Sequence, residues 1–190
     1  MIETLKSIDN AILLFINGLH SPFFDRFMML MSNRFIWVPL YLALVFITYK
    51  KFGKKCFFVV LFAGLAVAMS DQLASHLVKN LVMRYRPSHN LILSPKLHIV
   101  DDYRGGLYGF ASSHAANTFA LAFFLSMVIP ASRKLSIFLF CWASLVCYSR
   151  VYLGVHYPSD IAGGVVIGLF SASVMYMVYS RIPALKVRPQ

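Results

Sequence analysis

Stretches without Asp, Glu, Lys or Arg recur along the chain at 35–49, 56–70, 115–132, 135–149 and 161–180. A helix needs about 20 mostly apolar residues to cross a bilayer, so these stretches predict five spans, the shorter ones borrowing residues from their flanks. The second can continue as a helix to Val82. Positions 2–19 have helical periodicity, with Leu5, Ile8, Ile12, Leu13 and Ile16 on one side, and 21–31 is apolar apart from Asp25 and Arg26. Both read as short helices lying in or dipping into the interface, with a sixth span as the alternative. The pattern predicts an all-α integral membrane helical bundle of five to six transmembrane helices. It forms one domain over 1–190: interfacial or re-entrant helices in 1–34, a transmembrane core in 35–182, and an outward-facing loop at 87–111. The run from Ala11 is broken by Asn17, His20 and Pro22 with no A-x-A site after it, so the spans themselves are expected to act as the targeting signal.

Composition agrees. Of 190 residues, 59% are hydrophobic and 13% charged, with a mean hydropathy of +0.69, against about 45–50% and about 25% in soluble domains. Disorder is excluded and a bilayer is expected. The net charge of +11 would suit nucleic acid if the bases formed a stripe. They sit instead at the ends of apolar runs, so no nucleic-acid partner is expected. Cys56, Cys141 and Cys147 all lie in apolar runs without C-x-x-C spacing and read as small buried hydrophobes. Lys50, Lys51, Lys54, Lys55, Arg133, Lys134, Arg181, Lys186 and Arg188 fall on one side of the implied topology, in short segments with no acidic residue. Basic segments of this kind stay in the cytoplasm, so 84–111 and 150–160 face outward.

Ionisable residues in such a chain are candidates for function. Asp71, Gln72, Ser75, His76, Lys79 and Asn80 form one helical stripe expected to face the bundle interior, and Arg86-Pro87 is expected to end that helix. Ala111-Ser112-Ser113-His114 stands directly before the third span. Ser112 suits an N-cap, and a helix start with free N–H groups suits an anion. Ser149, Arg150, His156 and Asp160 precede the last span, with His and carboxylate four residues apart and able to pair. Taken singly, these are snorkelling bases, a plain N-cap and a helix-capping Asp. Together they fall on one membrane face and supply Lys79, Arg86, Arg150, His114, His156 and Asp160. That inventory suits a phosphate: cations to hold its oxygens, one imidazole to attack and another to protonate the leaving group. It does not suit a metal ion, because carboxylates are scarce and the bases repel a cation.

The same residues resemble the type 2 phosphatidic acid phosphatase superfamily, whose pocket is shared with vanadium haloperoxidases and glucose-6-phosphatase. Lys79, Arg86 and Pro87 match its K-x6-R-P motif. Ala111 to His114 match P-S-G-H in part, with Ala111 for Pro and Ser113 for Gly. Ser149, Arg150, His156 and Asp160 match S-R-x5-H-x3-D. The resemblance covers roughly Phe35 to Ser180. It implies that His156 attacks phosphorus to form a phosphohistidine and that Asp160 orients it. His114 protonates the leaving oxygen and then activates water. Lys79, Arg86 and Arg150 bind the phosphoryl oxygens, with hydrogen bonds from Ser112 and the Ser113 backbone, and no metal or other cofactor takes part.

The implied substrate is a membrane lipid phosphate reached at the outer face of the bacterial cytoplasmic membrane: lipid A phosphate or undecaprenyl diphosphate first, phosphatidylglycerophosphate or phosphatidic acid as alternatives. A non-hydrolytic lipid or anion transporter and a catalytically inactive lipid-binding relative are the competing classes. Gly164, Gly168 and Ala172 repeat every four residues, which suits close helix packing, either inside the bundle or between two copies in a homodimer.

Overall fold

The computed structural model describes residues 2–129 and 132–183. Among them the secondary structure is helical, with one isolated β-bridge. Helix α1 spans Ile2–Gly18 and α2 spans Pro22–Ser32; α2 begins on Ser21, whose Oγ accepts from Phe24 N, with Pro22 in the first turn. Helix α3 (Val38–Phe52) turns back at Gly53, whose φ of +54° is open to glycine. Helix α4 (Cys56–Asp71) continues through a π-helical turn, Gln72–Val78, into the short α5, Lys79–Val82. After a long loop come α6 (Ser113–Val128), α7 (Arg133–Tyr152) and α8 (Pro158–Arg181).

Among the described residues, three helical runs are long and apolar enough to cross a membrane: Arg34–Val82, Arg133–Tyr152 and Pro158–Arg181; Ser113–Val128 is apolar but shorter. The first run is folded on itself at Gly53, so it supplies both α3 and α4. The third expected stretch ends early. Helix α6 stops at Val128, with Ile129 already non-helical, because the chain approaches Pro130 and a residue close before proline is pushed out of the α region. Lys186 and Arg188, expected on the cytoplasmic side, lie outside the described residues.

Helix α6 is the axis of the bundle, and α8 lies along it. A Cβ on Gly164 would collide with the Ser112 carbonyl, and one on Gly168 with the Ala116 carbonyl; Ala172 is fully buried. The small-residue repeat is therefore filled by α6 of the same chain. Phe62, Phe124, Leu139, Trp142 and Tyr179 close the core between α4, α6, α7 and α8. Large apolar side chains such as Leu42, Phe46, Phe57, Val166 and Phe170 stay exposed on the outer faces. Water would not tolerate so broad an apolar surface; lipid does. The protein is an integral membrane protein.

Helix α1 departs from the expected single apolar side. Leu5, Ile8, Ile12, Phe15 and Leu19 face outward, while Asp9, Leu13 and Asn17 are buried against the protein. Asn17 Nδ2 donates to the carbonyls of Tyr152 and His98, at 2.7 and 2.9 Å. The helix thus turns polar anchors inward and apolar residues outward. The end of α5, the starts of α6 and α8 and the end of α7 meet at one end of the bundle. Lys54, Lys55, Arg133, Lys134 and Arg181 stand at opposite ends of these same helices.

Candidate active site

Lys79 reaches the site from the end of the π-helical turn. Its Nζ donates to Ser113 Oγ at 2.9 Å, and Ser75 Oγ lies 2.7 Å from the same hydroxyl. Deeper in the bundle, Asp71 Oδ1 accepts from Asn117 Nδ2 at 2.9 Å and from Ser75 Oγ at 3.3 Å. Only half of the expected polar stripe points inward, however. Gln72, His76 and Asn80 are exposed. Asp71, Ser75 and Lys79, four residues apart, stay on one side of the π-helical turn.

The helix also ends earlier than Arg86-Pro87 suggests. Met83 adopts the left-handed conformation (φ 47°) as the C-cap, and its N–H closes on the Lys79 carbonyl at 3.0 Å. The chain then runs extended. Tyr85 bridges Tyr108, Arg86 N donates to Leu107 O at 3.1 Å, and Gly109 N to Arg84 O at 2.8 Å. Side chains alternate in an extended segment, so Arg84 and Arg86 turn toward the protein while Tyr85 remains exposed. Arg86 is buried, with Nε on Tyr108 O at 3.1 Å and Nη1 on Val155 O at 3.3 Å. Burial, then the nearby Arg150 charge, pulls its pKa down to about 10, which still leaves it charged at neutral pH.

Ser112 is the N-cap of α6, its Oγ accepting from Ala115 N at 3.5 Å, and its own N–H donates to the Asp160 carbonyl at 3.0 Å. The start of α6 is thereby fastened to the start of α8. His114 sits half-buried in the first turn of α6. Ser149 turns its hydroxyl back onto the Val146 carbonyl at 2.7 Å and acts within its own helix. Arg150, 2% exposed, donates through Nη1 to Ser32 Oγ and, at 3.0 Å, to the Tyr103 hydroxyl. Its Nε–H is buried without a partner among the described residues. A buried N–H of a charged group is costly to leave unpaired, so this guanidinium is prepared for an acceptor.

His156 and Asp160 are buried together, Nδ1 to Oδ2 at 3.3 Å. Asp160 Oδ2 also accepts from Tyr157 N at 3.0 Å, closing a capping box at the start of α8. Burial, and then the charges of Arg86, Arg150, Lys79 and His114, push the His156 imidazole well below its ordinary value. The three sequence clusters therefore converge on one imidazole that stays neutral near pH 7. Residues not singled out from the sequence complete the surroundings: Arg84, Asp9, Ser159 and Ser32, together with the loop's Tyr103. Arg84 could have been found from its place two residues before Arg86 in an extended segment. Asp9 carried one signal, an acid on an otherwise apolar helix face.

Residues 55–183 match the PAP2 superfamily. The chain belongs to this family. It is 41% identical over 188 residues to a lipid A 4'-phosphatase of Bacteroides thetaiotaomicron, covering 97% of this chain and 82% of that one. It is 36% identical over 178 residues to a lipid A 4'-phosphatase of Porphyromonas gingivalis, covering 93% and 75%. In fold it resembles the transmembrane PAP2-type phosphatidylglycerolphosphate phosphatase of Bacillus subtilis, with a TM-score of 0.66 at 22% identity over 96% of this chain and 90% of that one. It also resembles Aquifex aeolicus LpxE, with a TM-score of 0.63 at 24% identity over 88% and 93%. The PAP2 chain described here is a membrane lipid phosphatase.

Proposed function

We propose that this phosphatase removes a phosphate from lipid A, at the 4' position, through a phosphohistidine on His156. The observation that carries the reading is a sealed His156–Asp160 pair beside a buried Arg150 with an unpartnered Nε–H. The identities to the two lipid A 4'-phosphatases support the choice of lipid. A cavity of about 670 Å³ supports a substrate with hydrocarbon tails: His114 and Ser113 stand at its polar end, and Leu44, Val60, Leu125 and Val146 line the rest.

In this mechanism Arg150, Arg86 and Lys79 hold the phosphoryl oxygens, and their charges stabilise the transition state. Asp160 accepts the Nδ1–H of His156, leaving the Nε2 lone pair to attack phosphorus. The phosphorus–oxygen bond to the sugar breaks as His114 gives its proton to the departing oxygen. The phosphate dianion, on arrival, favours the protonated His114 that this step needs. Water then attacks the phosphohistidine, His114 takes a proton from it, and the phosphorus–nitrogen bond breaks to release phosphate. Each step uses a group of this chain and none requires a metal.

The lipid is met at the outer face of the cytoplasmic membrane. The grouping of Lys54, Lys55, Arg133, Lys134 and Arg181 at the far end of the bundle supports that orientation. The outward apolar side of α1 supports an interfacial position for the N-terminal helices. The test is phosphate release by the purified protein in detergent with EDTA present, offered lipid A, undecaprenyl diphosphate, phosphatidylglycerophosphate and phosphatidic acid. The expected result is fastest turnover of lipid A, with the 4'-phosphate missing from the product. Preference for another lipid, or loss of activity in EDTA, overturns the corresponding part.

A further inference from the structure

Arg84 is absent from the motif residues, yet it makes the only ion pair to Asp160 other than His156 among the described residues. Its Nη1 donates to Asp160 Oδ1 at 3.0 Å and to Ser159 Oγ at 2.6 Å, and its Nη2 donates to Asp9 Oδ2 at 2.7 Å. The guanidinium lies 3.8 Å from the centre of the Tyr157 ring, a cation–π contact that fixes its plane. Asp9 also accepts from Ser159, from the backbone N–H at 2.8 Å and the hydroxyl at 2.5 Å. One carboxylate on α1 therefore holds both Arg84 and the first turn of α8.

We propose that Arg84 is a positioning residue that keeps Asp160 ionised and aimed at His156, and that Asp9 anchors Arg84 in that role. The proposal rests on the phosphohistidine reading above. Asp160 is 0% exposed, and a carboxylate taken out of water keeps its charge only when paired and hydrogen-bonded. Its Oδ2 is occupied by His156 and the Tyr157 N–H, so Oδ1 depends on Arg84. The groups facing Asp160 are Arg84 and Arg86 from the loop, Asp9 from α1, His156 and Tyr157 from the α7–α8 connection, and Lys79 from α5. Asp9 opposes the charge on Asp160, but Arg84 lies between the two carboxylates and touches both. Direct contact with the cation outweighs repulsion from a carboxylate that the same cation neutralises.

The arrangement also gives α1 a chemical role. Asp9 is 7% exposed and lies on the buried side of a helix whose opposite side is apolar and outward. Displacement of α1 would release Arg84 and leave Oδ1 of a sealed carboxylate without its charged partner.

The test is steady-state hydrolysis of the lipid phosphate by wild type, Arg84→Gln, Arg84→Lys and Asp9→Asn, each across pH. Arg84→Gln is expected to lower kcat on the order of tenfold to a hundredfold with KM little changed. Its acidic limb in kcat should also move toward neutral pH, because Asp160 then takes up a proton more readily. Arg84→Lys keeps the charge without the fork, and should restore the limb and part of the rate. Asp9→Asn should give a smaller fall of the same kind. A loss of rate in Arg84→Gln with the limb unmoved, or a limb that Arg84→Lys fails to restore, overturns the proposal in favour of a merely structural residue. So does an unchanged Arg84→Gln. Wild type that forms no phosphohistidine would defeat the underlying reading instead, a result visible before any variant is compared.

Discussion

The ammonium of Lys79 and the hydroxyl of Ser113 are 2.9 Å apart, one at the end of the α4–α5 run and the other in the first turn of α6. Ser113 occupies the position where the family motif resembled by this chain has Gly. The hydroxyl that this exchange adds is also 2.7 Å from Ser75 Oγ. A flexible four-carbon stem would otherwise leave the ammonium free to wander. Ser113→Ala should therefore raise KM for the lipid phosphate roughly threefold to tenfold, within the worth of one hydrogen bond to a charged group, and change kcat little. Steady-state kinetics in detergent check this; an unchanged KM would show that the tether has no part in binding.

The two histidines should separate by the step at which each variant stops. His156→Ala loses the proposed nucleophile and should fall to background. His114→Ala should lose about 10²–10⁴-fold on a lipid whose leaving oxygen needs a proton. On an aryl phosphate, whose leaving group departs unaided, His114→Ala should still form the phosphohistidine but hydrolyse it slowly. Acid-labile, base-stable label on the protein would then accumulate from a radioactive aryl phosphate. Label on His156→Ala, or none on His114→Ala, would contradict the assigned order.

The grouping of Lys79, Arg86, His114, Arg150, His156 and Asp160 was suggested by the implied topology, which puts the three clusters on one membrane face, and by the family motifs they resemble. The alternative of a plain N-cap also proved correct for Ser112, which caps α6 while helping to build the site. What lay beyond the sequence was longer in range. Asp9 meets Ser159 across 150 positions, and Ser32 meets Arg150 across 118. No local period encodes those contacts, which depend on where α1 and α2 settle. The π turn at Gln72–Val78 was hidden for another reason. A 3.6-residue period and a slightly wider one both keep Asp71, Ser75 and Lys79 on one side over two turns, so the residue pattern does not tell them apart.

The position of His156 fixes the sign of the pH response. Its folded value lies well below the ordinary imidazole value, owing to burial and the surrounding cations, whereas the unfolded chain protonates it near pH ~6.5. Above pH ~6.5 neither state holds the proton. As pH falls below it, the unfolded state gains a proton that the folded state refuses. Stability is then lost at up to about 1.4 kcal/mol per pH unit until the folded value is reached. The apparent Tm in detergent should drop more steeply from pH 6.5 to 5 in wild type than in His156→Gln. If His156 is the nucleophile, its lowered folded value also predicts that any acidic limb of kcat/KM due to it lies well below pH ~6.5 in the free enzyme. Equal Tm slopes in the two proteins would remove His156 as the source.

Gly109 packs directly against Asp160, the partner of His156. A Cβ built there would stand 2.8 Å from Asp160 Oδ2 and 3.2 Å from Arg86 Cγ. Both neighbours are buried, and both are held: Asp160 by His156, Arg84 and Tyr157 N, Arg86 by the carbonyls of Tyr108 and Val155. Neither can yield without breaking a charge-assisted bond or shifting the 84–86 and 107–109 pairing. The Gly164, Gly168 and Ala172 contact with α6 and the core aromatic cluster lie farther along the bundle and hold the fold. Gly109→Ala should therefore leave the helical content and detergent Tm within a few degrees of wild type while kcat falls about a hundredfold, the usual consequence of misplacing a catalytic group by an ångström. Circular dichroism, thermal melts and kinetics on the same preparation decide it. Full activity in Gly109→Ala would mean that Asp160 has room to move and that its 3.3 Å contact with His156 is not the geometry on which turnover depends.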